Sequence, residues 1–218
     1  MKSRLDKILC FVCYSLDNGR FIMGKLNFQC IIVLYNVNFM DSITYQDIVK
    51  TQSFKEGTIH LYLVDNSTKD YGNHCSKSLD HVTYLPMYEN AGLSKAYNRA
   101  LDAMSDMNNK VITLFDDDTH VTNEYFNKIE EAYYKTKAEV YLPIIYDQNK
   151  ELLSPSVMKK YRCVRAKSIN EINDRNICGI NTGMAIRSEV FINYRYNEDI
   201  FLDFVDHNFI RDMKEEGA

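Results

Sequence analysis

The chain has no tryptophan, no long block of Lys or Arg, and no apolar run long enough to cross a bilayer. With a formal net charge of −4 and its cations dispersed, it offers nothing to a polyanion, and no nucleic-acid partner is expected. It lacks G-x-G-x-x-G and G-x-x-x-x-G-K-[ST], so neither a dinucleotide fingerprint nor a P-loop is present, and any phosphate must be held by other means. Cys10 and Cys13 form a C-x-x-C, but no second pair completes a four-ligand zinc site. The six cysteines therefore read as reduced thiols of a cytosolic protein.

What is present is an ordinary globular composition of 218 residues, 45% hydrophobic and 26% charged, enough for one sizeable core. The 16 tyrosines mostly fall at helix or strand positions where packing explains them, while some, such as Tyr146 and Tyr194, could stack on a ligand ring. Lys2, Arg4 and Lys7 before ILCFVCY imitate a secretion signal, yet Asp6 lies in the charged part and SLDNGR follows instead of a small-residue cleavage site. Residues 1–27 are read as an N-terminal extension carrying an added helix or strand, with Met23 an alternative start, and 28–218 as the single domain.

From residue 28 strand-like and helix-like stretches alternate, the pattern of an α/β domain. Strands are expected over 28–36, 58–68, 82–87, 111–115, 138–145 and 182–191. Helices are expected over 42–52, 92–107 and 125–135. In the second of these Leu93, Ala96, Tyr97, Ala100, Leu101 and Met104 recur at three and four residues. The segment 147–177, where the strand and helix pattern weakens and Lys and Arg cluster in SPSVMKKYRCVRAKS, reads as a mobile stretch.

VITLF opens directly into Asp116, Asp117 and Asp118, a strand ending at three carboxylates. Adjacent carboxylates repel, and a fold keeps them together where a cation or several donors hold them. Oxygen ligands of this hardness suit Mg²⁺ or Mn²⁺. In open α/β sheets ligands lie beyond the carboxyl ends of strands, so Tyr35, Asp65 and the Asp triplet are expected to face one crevice. A cation bridging diphosphate oxygens, an Asp accepting from a base or ribose, and a Tyr against the base together describe a nucleoside diphosphate site.

The ordered series VLYN, LVDNST, ENAGLSKAYNRAL, LFDDDT, NTGMAIRSEVF and YNEDIFLDFVDHNF resembles family-2 glycosyltransferases of the GT-A fold over about residues 28–212. The resemblance is to rhamnosyltransferase-like or galactofuranosyltransferase-like members. It implies an α/β fold with a mixed, Rossmann-like sheet flanked by helices. It also implies that Asp116 and Asp118 end a D-x-D motif, Asp118 binding the metal and Asp116 the ribose or metal-bound water. Asp65 would face the nucleobase with Tyr35 against it, and Asn90, Lys95 and Arg99 would line the nucleotide and phosphates. Asn181, Thr182, Gly183 and Asp203 fall on the acceptor and donor-sugar side.

By the same resemblance Asp206 takes the place of the Asp that deprotonates the acceptor hydroxyl, although Val205 stands where the family usually has Glu. The competing reading makes Asp206 a cap for a helix from Asn208 to Lys214. His207 is weighed as a diphosphate or metal contact, and His120 less so. The function implied is an inverting, metal-dependent transfer of a sugar from a UDP- or dTDP-linked donor, dTDP-rhamnose among them, to a surface-polysaccharide or lipid-linked acceptor. The setting implied is cytoplasmic, at the inner face of the membrane with peripheral contact. The chain stops soon after Asp206, so it is expected to be truncated at the C-terminus, and the alternative is a non-catalytic nucleotide-sugar-binding remnant. A haloacid-dehalogenase-type phosphotransferase is disfavoured by His120 where that pattern has Thr or Val. A nucleotidyltransferase is disfavoured by the absence of a Gly-rich basic loop after residues 31–36.

Overall fold

The computed structural model describes residues 25–160 and 162–215, together with the backbone of one strand at Ile8–Cys10. Its centre is a seven-stranded sheet. In chain order the strands of that sheet are β1 (Ile8–Cys10), β2 (Asn27–Leu34), β3 (Ile59–Asp65), β4 (Val82–Pro86), β5 (Lys110–Asp116), β6 (Val140–Leu142) and β12 (Ala185–Arg187). Across the sheet they run β1-β6-β12-β5-β2-β3-β4, with β12 antiparallel to both neighbours and every other pair parallel.

The central strands are apolar on both faces because both faces are covered. Along β2, Ile31 and Val33 join a core with α3 (Leu93–Ala103) and α5 (Val205–Glu215). Cys30, Ile32 and Leu34 join an opposite core with α4 (Asn123–Lys135) and α1 (Ile43–Ile48). The period of two in the strand thus sorts successive side chains into two layers, as a three-layer α/β/α domain requires. A short helix α2 (Gln52–Lys55) precedes β3.

The expected α/β architecture and most elements are present, with five corrections. The helix expected to Met107 ends at Ala103, and the Asp106 carboxylate instead accepts the Asn108 amide at 3.0 Å in a local turn that competes with helix. The strand expected over 182–191 is only Ala185–Arg187. Ser188 starts a 3₁₀ turn, its hydroxyl donating to the Met107 carbonyl at 2.9 Å and accepting the Lys110 amide at 3.2 Å. The strand expected over 138–145 divides into β6 and β7 (Ile145–Tyr146).

The fourth correction concerns 147–177, which is folded. β7 pairs with β8 (Leu152–Ser154), and β9 (Ser156–Lys159) lies between β10 (Arg162–Val164) and β11 (Ile177–Cys178). Leu152, Val157 and Ala166 give this lobe a small core, and Arg165 ties Asp147 at 2.7 Å and Glu151 at 3.2 Å, so part of the basic character is spent internally. Fifth, not all cysteines are free thiols: Cys163 and Cys178 form a disulfide joining β10 to β11. Cys30 is a buried free thiol, pushed up to about 12 by desolvation, and Cys75 is an exposed one. Cys13 and Met23 lie outside the described residues; of the N-terminal extension, the strand β1 beside β6 is described.

Candidate functional site

The parallel strands deliver the acidic residues to one edge. Val33 pairs with Asp116, Leu34 with Asp65, and Asp65 with Pro86, so the ends of β5, β2, β3 and β4 form one row. At about 4.8 Å between strands, Asp116 and Asp65 lie roughly 10 Å apart along that row. The residues expected to face one crevice therefore share one sheet edge.

The Asp triplet is held by α1 and the loop before it. The Ser42 hydroxyl donates to the Asp117 carbonyl at 2.7 Å, and the Thr44 hydroxyl donates to the carbonyls of Asp116 at 2.6 Å and Thr119 at 2.9 Å. The Tyr35 amide donates to the Asp117 carboxylate at 3.3 Å while its ring stays exposed. Thr182 completes the clamp: its hydroxyl donates to the Asp116 carboxylate and accepts the Asp116 amide at 3.2 Å. Asp118 is exposed, and its side chain has no hydrogen bond or ion pair among the described residues.

Asp206 stands in the first turn of α5, which begins at Val205, three residues earlier than expected. It is one residue inside that helix and so is not its N-cap; its carboxylate accepts the His207 amide at 2.7 Å. Desolvation first raises its pKa; the His207 side chain and backbone amides pull it down, and the charge of Asp116 raises it again. Asp116 is likewise raised, first by desolvation, with the Thr182 hydroxyl lowering it and Asp118 raising it. Asp117 is raised too, mainly by desolvation. The charge of Asp116 thus reaches Asp206, ninety residues away in the chain, while Asp116 itself keeps an exposed face at the sheet edge. Tyr97 of α3 is fully buried between them, its hydroxyl without a hydrogen-bond partner and its pKa held well above the ordinary value by burial and by both carboxylates.

The strap from 196 to 206 is positioned by α3. Asn98 donates to the Tyr196 carbonyl at 2.9 Å and the Glu198 carboxylate at 3.0 Å, and accepts the Tyr196 amide at 2.9 Å. Ser94 donates to the Ile200 carbonyl at 2.7 Å and the Leu93 amide to the Phe201 carbonyl at 2.6 Å. The approach is close enough that Gly92, at φ +90, has no room for a side chain: a Cβ there would lie 2.7 Å from the Phe201 ring and carbonyl.

Asp65 is buried with its carboxylate nearly saturated. It accepts the Asn73 amide at 2.9 Å, the Tyr84 hydroxyl at 3.0 Å and the Ser67 backbone N–H at 3.2 Å, three of about four available lone-pair positions. It lines a cavity of about 320 Å³ with Lys69, Asp70, His74, Lys77 and Tyr88 among its walls. Asn90 accepts from the Asn66 side-chain amide at 3.0 Å, joining the end of β3 to the start of α3. Lys95 and Arg99 lie on the exposed face of α3, with no ion pair to the acidic crevice among the described residues. Asn181 is buried with an unpartnered side-chain oxygen, Gly183 takes φ +74 where a Cβ would press on Pro143 at 2.9 Å, and Asp203 is exposed in the turn before α5.

Two other expectations change. Tyr194 is buried and its hydroxyl donates to Asp212 at 3.0 Å, so it is a packing residue; Tyr146 is exposed. His120 pairs with Asp47 at 2.9 Å, a link from the Asp loop to α1. The roles of Asn98 and Tyr97 had no signal beyond helical periodicity, which marks a buried face without saying what it holds.

A family model described as "Glycosyl transferase family 2" matches residues 30–201. The dTDP-rhamnosyl transferase RfbF of Shigella flexneri is 24% identical over 184 residues, 83% of this chain and 60% of that protein. This chain thus spans under two thirds of that relative's length. S. aureus TarS (residues 1–349) in complex with UDP superposes with a TM-score of 0.62 at 16% identity, covering 86% of this chain and 55% of that one. The mannosyltransferase PcManGT of Pyrobaculum calidifontis, in complex with GDP-Man and Mn²⁺, gives 0.61 at 10% identity over 95% of this chain and 57% of that one. These likenesses show the GT-A fold.

Proposed function

This chain belongs to glycosyl transferase family 2, and we propose from that premise that it is the donor-binding and catalytic domain of an inverting, metal-dependent glycosyltransferase. The observation that carries the reading is the row of strand ends that sets Asp116, clamped by Thr182, beside Asp65 at one sheet edge, with Asp206 of α5 near enough to feel the Asp116 charge. A carboxylate at a cation site and a second one of raised pKa opposite it are the two groups that an in-line displacement at an anomeric carbon needs.

The residues fit a hard divalent cation. Asp116 and Asp118 are accessible, crowd one another, and have no cationic side chain paired with them among the described residues. Mg²⁺ and Mn²⁺ commonly take one or two protein carboxylates and complete their shell with substrate phosphates, so a third protein ligand is not required. Bound there, the cation supplies charge stabilisation to the departing diphosphate. The chain's own residues do the rest. Thr182 orients Asp116, Asp65 offers its remaining lone pair to a base N–H in the cavity, and the exposed Tyr35 ring lies at the same edge for the base to pack on. Asp206, less acidic than an ordinary carboxylate, takes the acceptor hydroxyl's proton as the sugar bond forms. Asn181, Thr182, Gly183 and Asp203 are assigned to the sugar and acceptor side, and Asn90, Lys95 and Arg99 to the nucleotide side.

The donor proposed is a UDP- or dTDP-linked sugar, dTDP-rhamnose first, because the Shigella relative is a dTDP-rhamnosyl transferase. The acceptor proposed is a surface-polysaccharide or lipid-linked glycan, reached from the cytoplasmic side by peripheral contact. No helix among the described residues is long and apolar enough to cross a membrane. Calorimetric titration of UDP and dTDP with and without Mn²⁺, repeated on Asp118→Ala, tests the donor site. Metal-dependent binding lost in the variant is expected; no binding of either nucleotide with any metal refutes the reading. Donor binding without transfer or donor hydrolysis would instead identify a binding remnant.

A further inference from the structure

A second group of metal-binding side chains lies apart from the Asp triplet. Cys163 of β10, Cys178 of β11 and His207 of α5 each place a ligand atom within 4.8 Å of the other two, the one such trio among the described residues. Cys178 is fully buried, while Cys163 and His207 are half-buried, so one side remains open to solvent. The two cysteines form a disulfide, their Cα atoms 6.3 Å apart, and β9 pairs with both strands and fixes their spacing.

We propose that in the reduced protein Cys163, Cys178 and His207 form a site for a soft divalent cation, Zn²⁺ before others, so that metal and disulfide are alternative cross-links of the same place. Two thiolates and an imidazole are the ligand chemistry of Zn²⁺, and Mg²⁺ or Mn²⁺ would not compete for it. With Zn–S near 2.3 Å and Zn–N near 2.0–2.1 Å, tetrahedral coordination sets ligand atoms about 3.5–3.8 Å apart. All three atoms already lie within 4.8 Å of one another, so opening the S–S bond is the main rearrangement needed. Two strands and a helix bring them together, so the site is preformed by tertiary structure and not by a local C-x-x-C. Three protein ligands leave a fourth position for water.

The chemistry balances with a thiol reductant. Two reductant thiols become a disulfide as the Cys163–Cys178 bond takes up two electrons and two protons. Zn²⁺ then displaces both thiol protons to solvent and gains two Zn–S bonds and one Zn–N bond to neutral His207. In a reducing compartment, where structural disulfides are rare, the metal form is the one expected to be populated.

The test uses the full chain, reduced with dithiothreitol and freed of it anaerobically, and does not depend on glycosyl transfer. Titration with Co²⁺ and then Zn²⁺ is expected to show one site with thiolate-to-cobalt charge-transfer absorption, bleached by Zn²⁺ and retained in Asp118→Ala. His207→Gln should weaken it by more than about tenfold, a loss already seen for partners outside the ligand set. Because Cys163→Ser with Cys178→Ser could fail to fold, the deciding measurement is made on the unaltered chain: iodoacetamide labelling with and without Zn²⁺, mapped by peptide mass. Protection of Cys163 and Cys178 but not Cys75 supports the site. Equal labelling at Cys163 and Cys178 with and without Zn²⁺, or protection confined to Cys10 and Cys13, overturns it.

Discussion

Replacing Asp206 by Asn separates a catalytic carboxylate from a helix-start one, because the two roles predict opposite stability effects. As a helix anion, Asp206 would contribute about 0.3–1 kcal/mol through the positive end of α5, and losing it would lower Tm by about 2–4 °C per kcal/mol in a chain of this size. The structure argues against that loss. Val205 opens the helix, so Asp206 is not at the N-cap, and the Asn side-chain oxygen can still accept the His207 amide now bonded at 2.7 Å. Burial and the Asp116 charge already make ionised Asp206 unfavourable in the fold, as its raised pKa records. Removing the charge at neutral pH should therefore leave Tm unchanged or raise it, while transfer falls by about 10²–10⁴-fold, the usual worth of a general base. Calorimetry gives Tm, a coupled assay of nucleotide release gives kcat, and titration of UDP or dTDP checks that donor affinity stays within about twofold. A variant that melts lower and transfers normally would refute the assignment.

The pH dependence follows from the same group, and its two signs differ. A carboxyl whose folded pKa is raised contributes stability that is fully present below its unfolded pKa, near 3.9, and is lost as pH rises through the folded value. A general base works in its ionised form, so under the proposed role activity rises over the same interval. Asp116 is raised as well and adds to both trends. The acid limb of kcat/KM should accordingly lie above the ordinary carboxylate range, with stability declining where activity climbs, and Asp206→Asn should weaken that inverse relation.

Three further outcomes follow from contacts in the structure. Asp65→Ala leaves the Asn73 amide and Tyr84 hydroxyl without their acceptor, and should cost about 2–6 kcal/mol in urea unfolding at roughly 1–3 kcal/mol per orphaned group; a loss under about 1 kcal/mol would contradict the bonding described. Gly92→Ala forces a side chain into φ +90 and onto the Phe201 carbonyl, and should cost at least about 1–3 kcal/mol while displacing the strap that carries Asp206, read as a joint loss of Tm and kcat. Thr182→Val removes the hydroxyl that favours ionised Asp116, and should weaken Mn²⁺-supported nucleotide binding by about 10–100-fold with little change in Tm.

The parts of the fold legible in the sequence are those whose burial is periodic. β2 and β3 are continuous apolar runs because both faces are covered, and the spacing of Leu93, Ala96, Tyr97, Ala100 and Leu101 marks the face of α3 that enters a core. The Asp triplet stands out in the sequence as uncompensated charge after a strand, whereas Asp206 is marked only by the resemblance, since one acidic residue near a helix start looks the same in either role. What escaped was direction and pairing. Nothing local tells that Tyr194 turns inward to Asp212, or that Asp65 spends three of its lone pairs on its own fold. The Cys163–Cys178 bond closes across a stretch whose apolar residues are too few to show a period, and only the pairing of β9 with both β10 and β11 brings the sulfurs together. Residues brought together by tertiary structure alone are the ones periodicity does not encode, and the proposed pairing of Asp116 with Asp206 is of that kind, since only the packing of α5 against the sheet brings them within electrostatic reach.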